Sequence, residues 1–257
     1  MSALDPALAE AVRSVAAVPR LLVAFDFDGV LAPIVDVPSD ARPLPETARV
    51  LSELAELPDT VVALVSGRGL ADLGAVSGFT APVRLVGSHG GEFDDGAAVL
   101  DDEQRARLDA LVTELSALVD GEPGVALEAK PAGVAVHVRN APAEVGARVL
   151  AAAAAGPGAR PGIESTPGKA VLDMSVMRTS KGSAIDLLRE RVKADAVIFG
   201  GDDVTDETAL ARMRPGDVGV KVGEGETAAA YRVADPEAVT ELLTTLLAER
   251  RAAIAGS

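Results

Sequence analysis

The 257-residue chain has no cysteine and no tryptophan, and only His89 and His137 for histidine. Without cysteine there is no disulfide framework and no thiolate zinc centre, and two histidines do not build a histidine-rich metal site. Aromatic residues make up 2% of the chain, so a core must be packed from Ala, Val and Leu. Basic residues are also scarce: 24 Lys+Arg against 39 Asp+Glu leave a net charge of −15. A field of that sign repels nucleic acid and anionic membranes, although a few local cations and a metal can still hold one small phosphate. No apolar run approaches the roughly 18 residues of a membrane span. The acidic start MSALDPALAEAV does not resemble a signal peptide, and none is expected. These absences lead us to expect a cytoplasmic, monomer-capable protein with no obligate protein partner, whose chemistry rests on carboxylates, hydroxyls, amines and a hard cation.

What is present is an alternation. Residues 21–25 (LLVAF), 60–65 (TVVALV), 83–86, 194–199 and 218–222 (VGVKV) are predicted strands, several of them apolar on both faces, as parallel strands covered by helices must be. Helical patterns fall at 44–57, 180–192 and 236–251. The expected fold is a doubly wound α/β sheet. Between about 103 and 177 the pattern changes to αββαββ with alternating strands, which predicts an antiparallel sheet with one wet face. Its first helix, at 101–119, carries an apolar stripe of Leu108, Leu111, Val112, Leu115, Leu118 and Val119. We therefore expect a core of residues 1–102 and 178–257, with an α+β cap at 103–177 inserted into it.

Two acid clusters stand at predicted strand ends, where ligands of open α/β sheets bind. In LLVAFDFDG, alternation puts Asp26 and Asp28 on one side of the chain. Two carboxylates about 4 Å apart repel by about 4 kcal/mol at an effective dielectric of 20, so a proton or a cation must sit between them. Asp28-Gly29 alone is also an ordinary turn signal. In AVIFGGDDVTDE, Thr205, Asp206 and Glu207 suit a helix start, whereas Asp202 and Asp203 have no such local reason. Together the clusters predict an oxygen-ligand site for Mg²⁺. Ser66, Gly67 and Arg68, after the strand TVVALV, offer a hydroxyl, N–H groups and a cation to a phosphate. Lys181 adds positive charge at a helix start. Ser-Gly is also a routine turn, and a lone lysine is usually just solvated.

The order DxDG, SGR, Lys, GDDxTDE resembles the haloacid dehalogenase (HAD) superfamily of phosphotransferases, whose core is a Rossmann-like sheet. DFDGVLAPIV, VSGR, GSHGGE and GDDVTDE are similar, more narrowly, to its trehalose-6-phosphate phosphatase family. The resemblance runs from about Leu21 to the last helix. It implies Mg²⁺-dependent hydrolysis of a small-molecule sugar phosphate, trehalose 6-phosphate. Asp26 would be the nucleophile that forms an aspartyl-phosphate, and Asp28 the acid and then the base. Asp26, the Asp28 carbonyl and Asp202 would bind Mg²⁺, with Asp203 orienting Lys181 or a metal-bound water. Ser66 and Lys181 would hold phosphoryl oxygens. Glu128, Lys130, Lys169 and Asp173 would contact the sugar from the cap, which would act as a lid. His89 and Glu92 would contact it from the core. On the predicted strands Glu128, Lys130, His137, Arg139, Lys169 and Asp173 share polar faces, which also suits a plainly solvated sheet. Val30 stands where the family often has Thr. Asp173 replaces the usual Glu, leaving another sugar phosphate open: sucrose phosphate, mannosyl-phosphoglycerate or a pseudo-sugar phosphate. A phospho-acceptor signalling domain shares the acids, hydroxyl and lysine, but needs neither Asp28 nor the insertion. A catalytically silent sugar-phosphate sensor is the third alternative.

Overall fold

A computed structural model describes residues 4–96, 100–168, 170–177 and 179–256. Two compact units divide them, one of residues up to Asp94 together with those from Ser180 onward, the other spanning Asp95–Thr179. In chain order the first unit begins with α1 (Pro6–Ala16), β1 (Leu21–Phe25), α2 (Pro45–Ala55), β2 (Thr60–Val65), α3 (Leu70–Ser77), β3 (Arg84–Gly87) and β4 (Glu92–Phe93). The second unit contains α4 (Asp102–Val119), β5 (Ala126–Lys130), β6 (Gly133–His137), α5 (Ala143–Ala155), β7 (Glu164–Gly168) and β8 (Val171–Ser175). The first unit resumes with α6 (Lys181–Val192), β9 (Ala196–Gly201), α7 (Glu207–Leu210), β10 (Val218–Val222), β11 (Tyr231–Val233) and α8 (Pro236–Ala255).

The first unit is built on a seven-stranded sheet in the order β11-β10-β9-β1-β2-β3-β4. Its pairings are parallel except for β4 against β3. Strand β1 is buried throughout because its alternate residues enter different layers. Leu21, Val23 and Phe25 pack with residues of α1, α2 and α8, while Leu22 and Ala24 pack with residues of α6 and α7. Both faces are thus covered, which is why the strand reads as an unbroken apolar run. None of the described helices is long and apolar enough to cross a membrane.

Helix α8 is tied to the sheet by Arg250, which is 2% exposed. Its guanidinium donates to the Thr60 hydroxyl at 3.0 Å and to the carbonyls of Ala16 at 2.9 Å, Pro19 at 2.9 Å and Asp59 at 3.0 Å, and also to that of Val18. Burial lowers its pKa, and only Asp59 opposes that. Arg250→Ala strands the buried Ala16 carbonyl and three part-buried carbonyls at once, so a loss of about 3 kcal/mol is expected in urea unfolding.

The inserted unit is an antiparallel sheet, β5-β6-β8-β7. Val134, Val136, Leu172 and Met174 face Leu111 and Leu115 of α4 and Val149 and Ala153 of α5. The unit starts earlier than residue 103, because Leu100 is buried in its core and Asp101 caps α4 through the Gln104 N–H. Val112 is a correction to the predicted stripe: it is 37% exposed, at the stripe's edge, while Leu111 and Leu115 point inward.

Candidate active site

Strands β1 and β9 are parallel neighbours with Phe25 opposite Gly200, and the Asp26 N–H donates to the Gly200 carbonyl at 3.0 Å. Their carboxyl ends therefore deliver the two acid clusters to one place. Carboxylate oxygens of Asp26, Asp202 and Asp206 all lie within 4.8 Å of one another. Glycine makes this approach possible. At Gly29, where φ is +77°, a Cβ would fall 2.1 Å from Asp202 Oδ2, and one at Gly201 would fall 2.3 Å from Asp206.

Asp206 is the group missed by sequence reasoning, which took it for a first-turn acid. It is fully buried. Its Oδ1 accepts from Lys181 Nζ at 2.7 Å, and its Oδ2 accepts the N–H groups of Asp202 and Asp203, each at 3.0 Å. Of the two tasks expected of Asp203, orienting Lys181 falls to Asp206, while the Asp203 carboxylate turns back to the N–H of Val204. Asp203 is also outside the cluster of close carboxylates. The signal was in the sequence: Asp202 and Asp206 are four residues apart in the turn that leads into α7.

Lys181 is 2% exposed and bridges the cluster, with Nζ 2.9 Å from Asp26 Oδ2. Burial alone would lower its pKa, but the Asp26 and Asp206 carboxylates outweigh burial and hold it above the usual lysine range. Ser180 caps α6 immediately before it, in a reciprocal capping box with Ser183. Burial, with help from the Asp206 charge, pushes Asp26 up to about 7 against the pull of Lys181. Asp202 is pushed up to about 6, again by burial first and the Asp206 charge second. The donor set fits a hard divalent cation: oxygen ligands converge without His or Cys, and one ammonium opposes three carboxylates.

The remaining predicted residues divide. Ser66, at the end of β2, is buried, and its Oγ accepts the Arg68 N–H at 3.2 Å while its hydroxyl proton has no acceptor among the described residues. Arg68 is paired with carboxylates of the chain itself. Its guanidinium takes Asp28 in a two-point contact at 2.6 and 2.7 Å, Asp72 at 2.8 Å and the Pro38 carbonyl at 2.8 Å. The Asp28 side chain is accordingly turned to Arg68 and is not one of the clustered carboxylates. Gly67 lies under the His89 ring, where a Cβ would approach Cε1 to 2.5 Å. His89 Nδ1 is buried without a partner among the described residues, and burial followed by the Lys181 charge lowers its pKa. Glu92 serves its own loop, accepting from the Ser88 hydroxyl and, at 3.3 Å, from the Leu70 N–H at the start of α3.

In the inserted unit the register places Glu128, Ala135 and Asp173 side by side across β5, β6 and β8, with Lys130 and His137 on the same face. These side chains pair with one another, Lys130 Nζ to Asp173 at 2.8 Å and His137 Nε2 to Glu128 at 2.8 Å. Lys169 lies outside the described residues.

A family model described as trehalose-phosphatase matches residues 24–237. The chain belongs to the trehalose-phosphatase family. It is 32% identical over 237 residues to the trehalose-6-phosphate phosphatase of Escherichia coli, covering 88% of each chain. It is 34% identical to the bifunctional trehalose-6-phosphate synthase/phosphatase of Thermoproteus tenax, of which it spans 32%, and 34% identical to the trehalose-phosphate phosphatase of Mycobacterium ulcerans, of which it spans 63%. Trehalose-6-phosphate phosphatase from Aspergillus fumigatus superposes with a TM-score of 0.62 at 26% identity, over 96% of this chain and 99% of that one. A haloacid dehalogenase-like hydrolase from Bacteroides thetaiotaomicron, at 14% identity and a TM-score of 0.57, shares the fold. As a member of the trehalose-phosphatase family, the chain carries the HAD α/β core with its mostly parallel sheet.

Proposed function

We propose that this protein is a Mg²⁺-dependent phosphatase that hydrolyses trehalose 6-phosphate to trehalose and phosphate through an aspartyl-phosphate on Asp26. The observation that carries this reading is the meeting of Asp26, Asp202 and Asp206 around Lys181 in a chain of the trehalose-phosphatase family. An Asp26 oxygen attacks phosphorus, the bond to the sugar oxygen breaks, and Asp28 gives that oxygen a proton. Asp28 then takes a proton from the water that attacks phosphorus, releasing phosphate and the Asp26 carboxylate. To do so Asp28 must part from Arg68, which holds both its oxygens. Lys181 and Ser66 hold phosphoryl oxygens and oppose the charge gathering on them. Asp26, Asp202 and the Asp28 carbonyl would hold the cation, while Asp206, both of whose oxygens already accept N–H donors, supports Lys181 and the 202–203 backbone. Bound there, Mg²⁺ supplies electrostatic relief for the phosphoryl oxygens.

Sugar recognition is assigned to the polar face of the inserted unit, with Glu128, Lys130 and Asp173 alternating donors and acceptors as a polyol requires. Asp173 is one methylene shorter than Glu, which favours a second reading in which another sugar phosphate is preferred. A substrate panel decides: with Mg²⁺, kcat/KM for trehalose 6-phosphate should exceed that for sucrose phosphate or mannosyl-phosphoglycerate by at least about tenfold, and EDTA should abolish turnover. A different sugar phosphate at the head of the panel would replace the substrate assignment. No turnover of any, with tight binding, would make the protein a sensor.

A further inference from the structure

Strand β10 reads VGVKV and is buried at every position, Lys221 included at 4% exposure. An ammonium is seldom enclosed without a carboxylate in contact, yet Lys221 Nζ is 3.6 Å from Glu207 Oε1 and makes its short contact, 2.6 Å, with a backbone carbonyl. That carbonyl belongs to Asp202. The register explains the reach, since Lys221 stands opposite Gly201 of β9, the residue before Asp202. On its other side the Asp202 N–H donates to the buried Asp206 carboxylate at 3.0 Å. Both backbone polar groups of residue 202 are thus held by buried charged side chains from two different elements, and only its carboxylate is left to turn toward Asp26. Glu207 extends the connection: its Oε2 accepts the Ala228 N–H at 2.8 Å and the Thr227 hydroxyl at 3.3 Å, while its Oε1 has no hydrogen bond.

We infer that Lys221 is a positioning residue for the cation site, fixing the Asp202 backbone so that its carboxylate converges with that of Asp26. This rests on the metal-dependent reading above. It acts through the hydrogen bond to the carbonyl and not through charge, since a positive charge by itself weakens cation binding. Two variants separate these effects. Lys221→Met keeps the four-atom stem of the side chain and removes donor and charge, while Lys221→Gln removes the charge and keeps a donor.

Mn²⁺ binding to the purified full chain, without substrate, is measured by titration calorimetry at about pH 8, alongside the metal-free unfolding temperature. Lys221→Met should fold and bind Mn²⁺ about tenfold or more weakly, as outer partners of metal ligands do, whereas Lys221→Gln stays within about threefold of wild type. Lys221→Met binding within about threefold of wild type, or equal weakening in both variants, would overturn the inference. So would failure of both to fold, which would make the lysine a requirement of the core and not of the site. If the wild-type chain binds no Mn²⁺, the metal-dependent reading itself falls and takes this inference with it. Wild-type binding with an unaltered Met variant sinks the inference alone.

Discussion

Asp26→Asn should lower phosphate release from trehalose 6-phosphate by at least about 10⁴-fold, because an amide oxygen cannot carry the phosphoryl group and removal of a nucleophile leaves only binding and electrostatic assistance. The substitution is nearly isosteric. The amide oxygen of the variant can still accept from Lys181 Nζ, which lies 2.9 Å from Asp26 Oδ2 and also keeps Asp206. The folded protein should therefore be retained, with an unfolding temperature near that of wild type. Burial holds the native carboxylate at about 7, so near neutral pH the amide replaces a group the fold already disfavours in its charged form. Loss of turnover with retained folding is thus a statement about chemistry. The check is phosphate release under single-turnover conditions, with acid quenching to look for phosphate on the protein. Wild type should carry it transiently and Asp26→Asn never. A wild-type rate in the variant would end the nucleophile assignment.

The strands that frame Asp26 were legible because burial on both faces leaves a local trace. LLVAF, TVVALV and VGVKV are strands over the same residues in sequence and structure, since each is a short, largely apolar run, with Lys221 the one charge among them. Helix α1 left a trace too, an Asp5 cap followed by proline in the first turn, but the acidity of this segment enters the sequence reading only as an argument against a signal peptide. Asp206 was hidden for a different reason. An acid after threonine at a helix start has a sufficient local explanation, and its burial arises only when α6, from another part of the chain, brings Lys181 against it. The pairing of Arg68 was hidden in the same way. Beside Ser66 and Gly67 it looks like an anion ligand, whereas its partner Asp28 stands forty positions away and is set by the adjacency of β1 and β2. The polar face of the inserted sheet followed directly from period-two alternation, but the pairing of Lys130 with Asp173 depends on β6 lying between β5 and β8, and alternation within a strand carries no strand order.

Cation affinity should fall steeply with acid. A divalent ion needs Asp26 and Asp202 ionised, and these are held at about 7 and about 6. Between about pH 8 and about pH 5 protons compete at both, by about 100-fold at the first and about tenfold at the second, so Mg²⁺ or Mn²⁺ should bind about 10³-fold more weakly at the lower pH. The sign follows from the direction of the shifts. An aspartate whose folded pKa is raised binds more protons folded than unfolded. Its contribution to metal-free stability is therefore fully present below the unfolded value of about 4 and is lost as pH rises through about 6 to 7. Cation binding restores that loss, so the rise in unfolding temperature caused by a fixed Mg²⁺ concentration should be large at about pH 8 and vanish at about pH 5. Asp26→Asn should remove the steeper share of this dependence, leaving the tenfold share of Asp202, and near pH 6.5 the wild type should release protons as the ion binds. Affinity that is flat across this range would mean that the ion, if bound, sits elsewhere, and the carboxylates at the ends of β1 and β9 would then have to be accounted for by Lys181 alone.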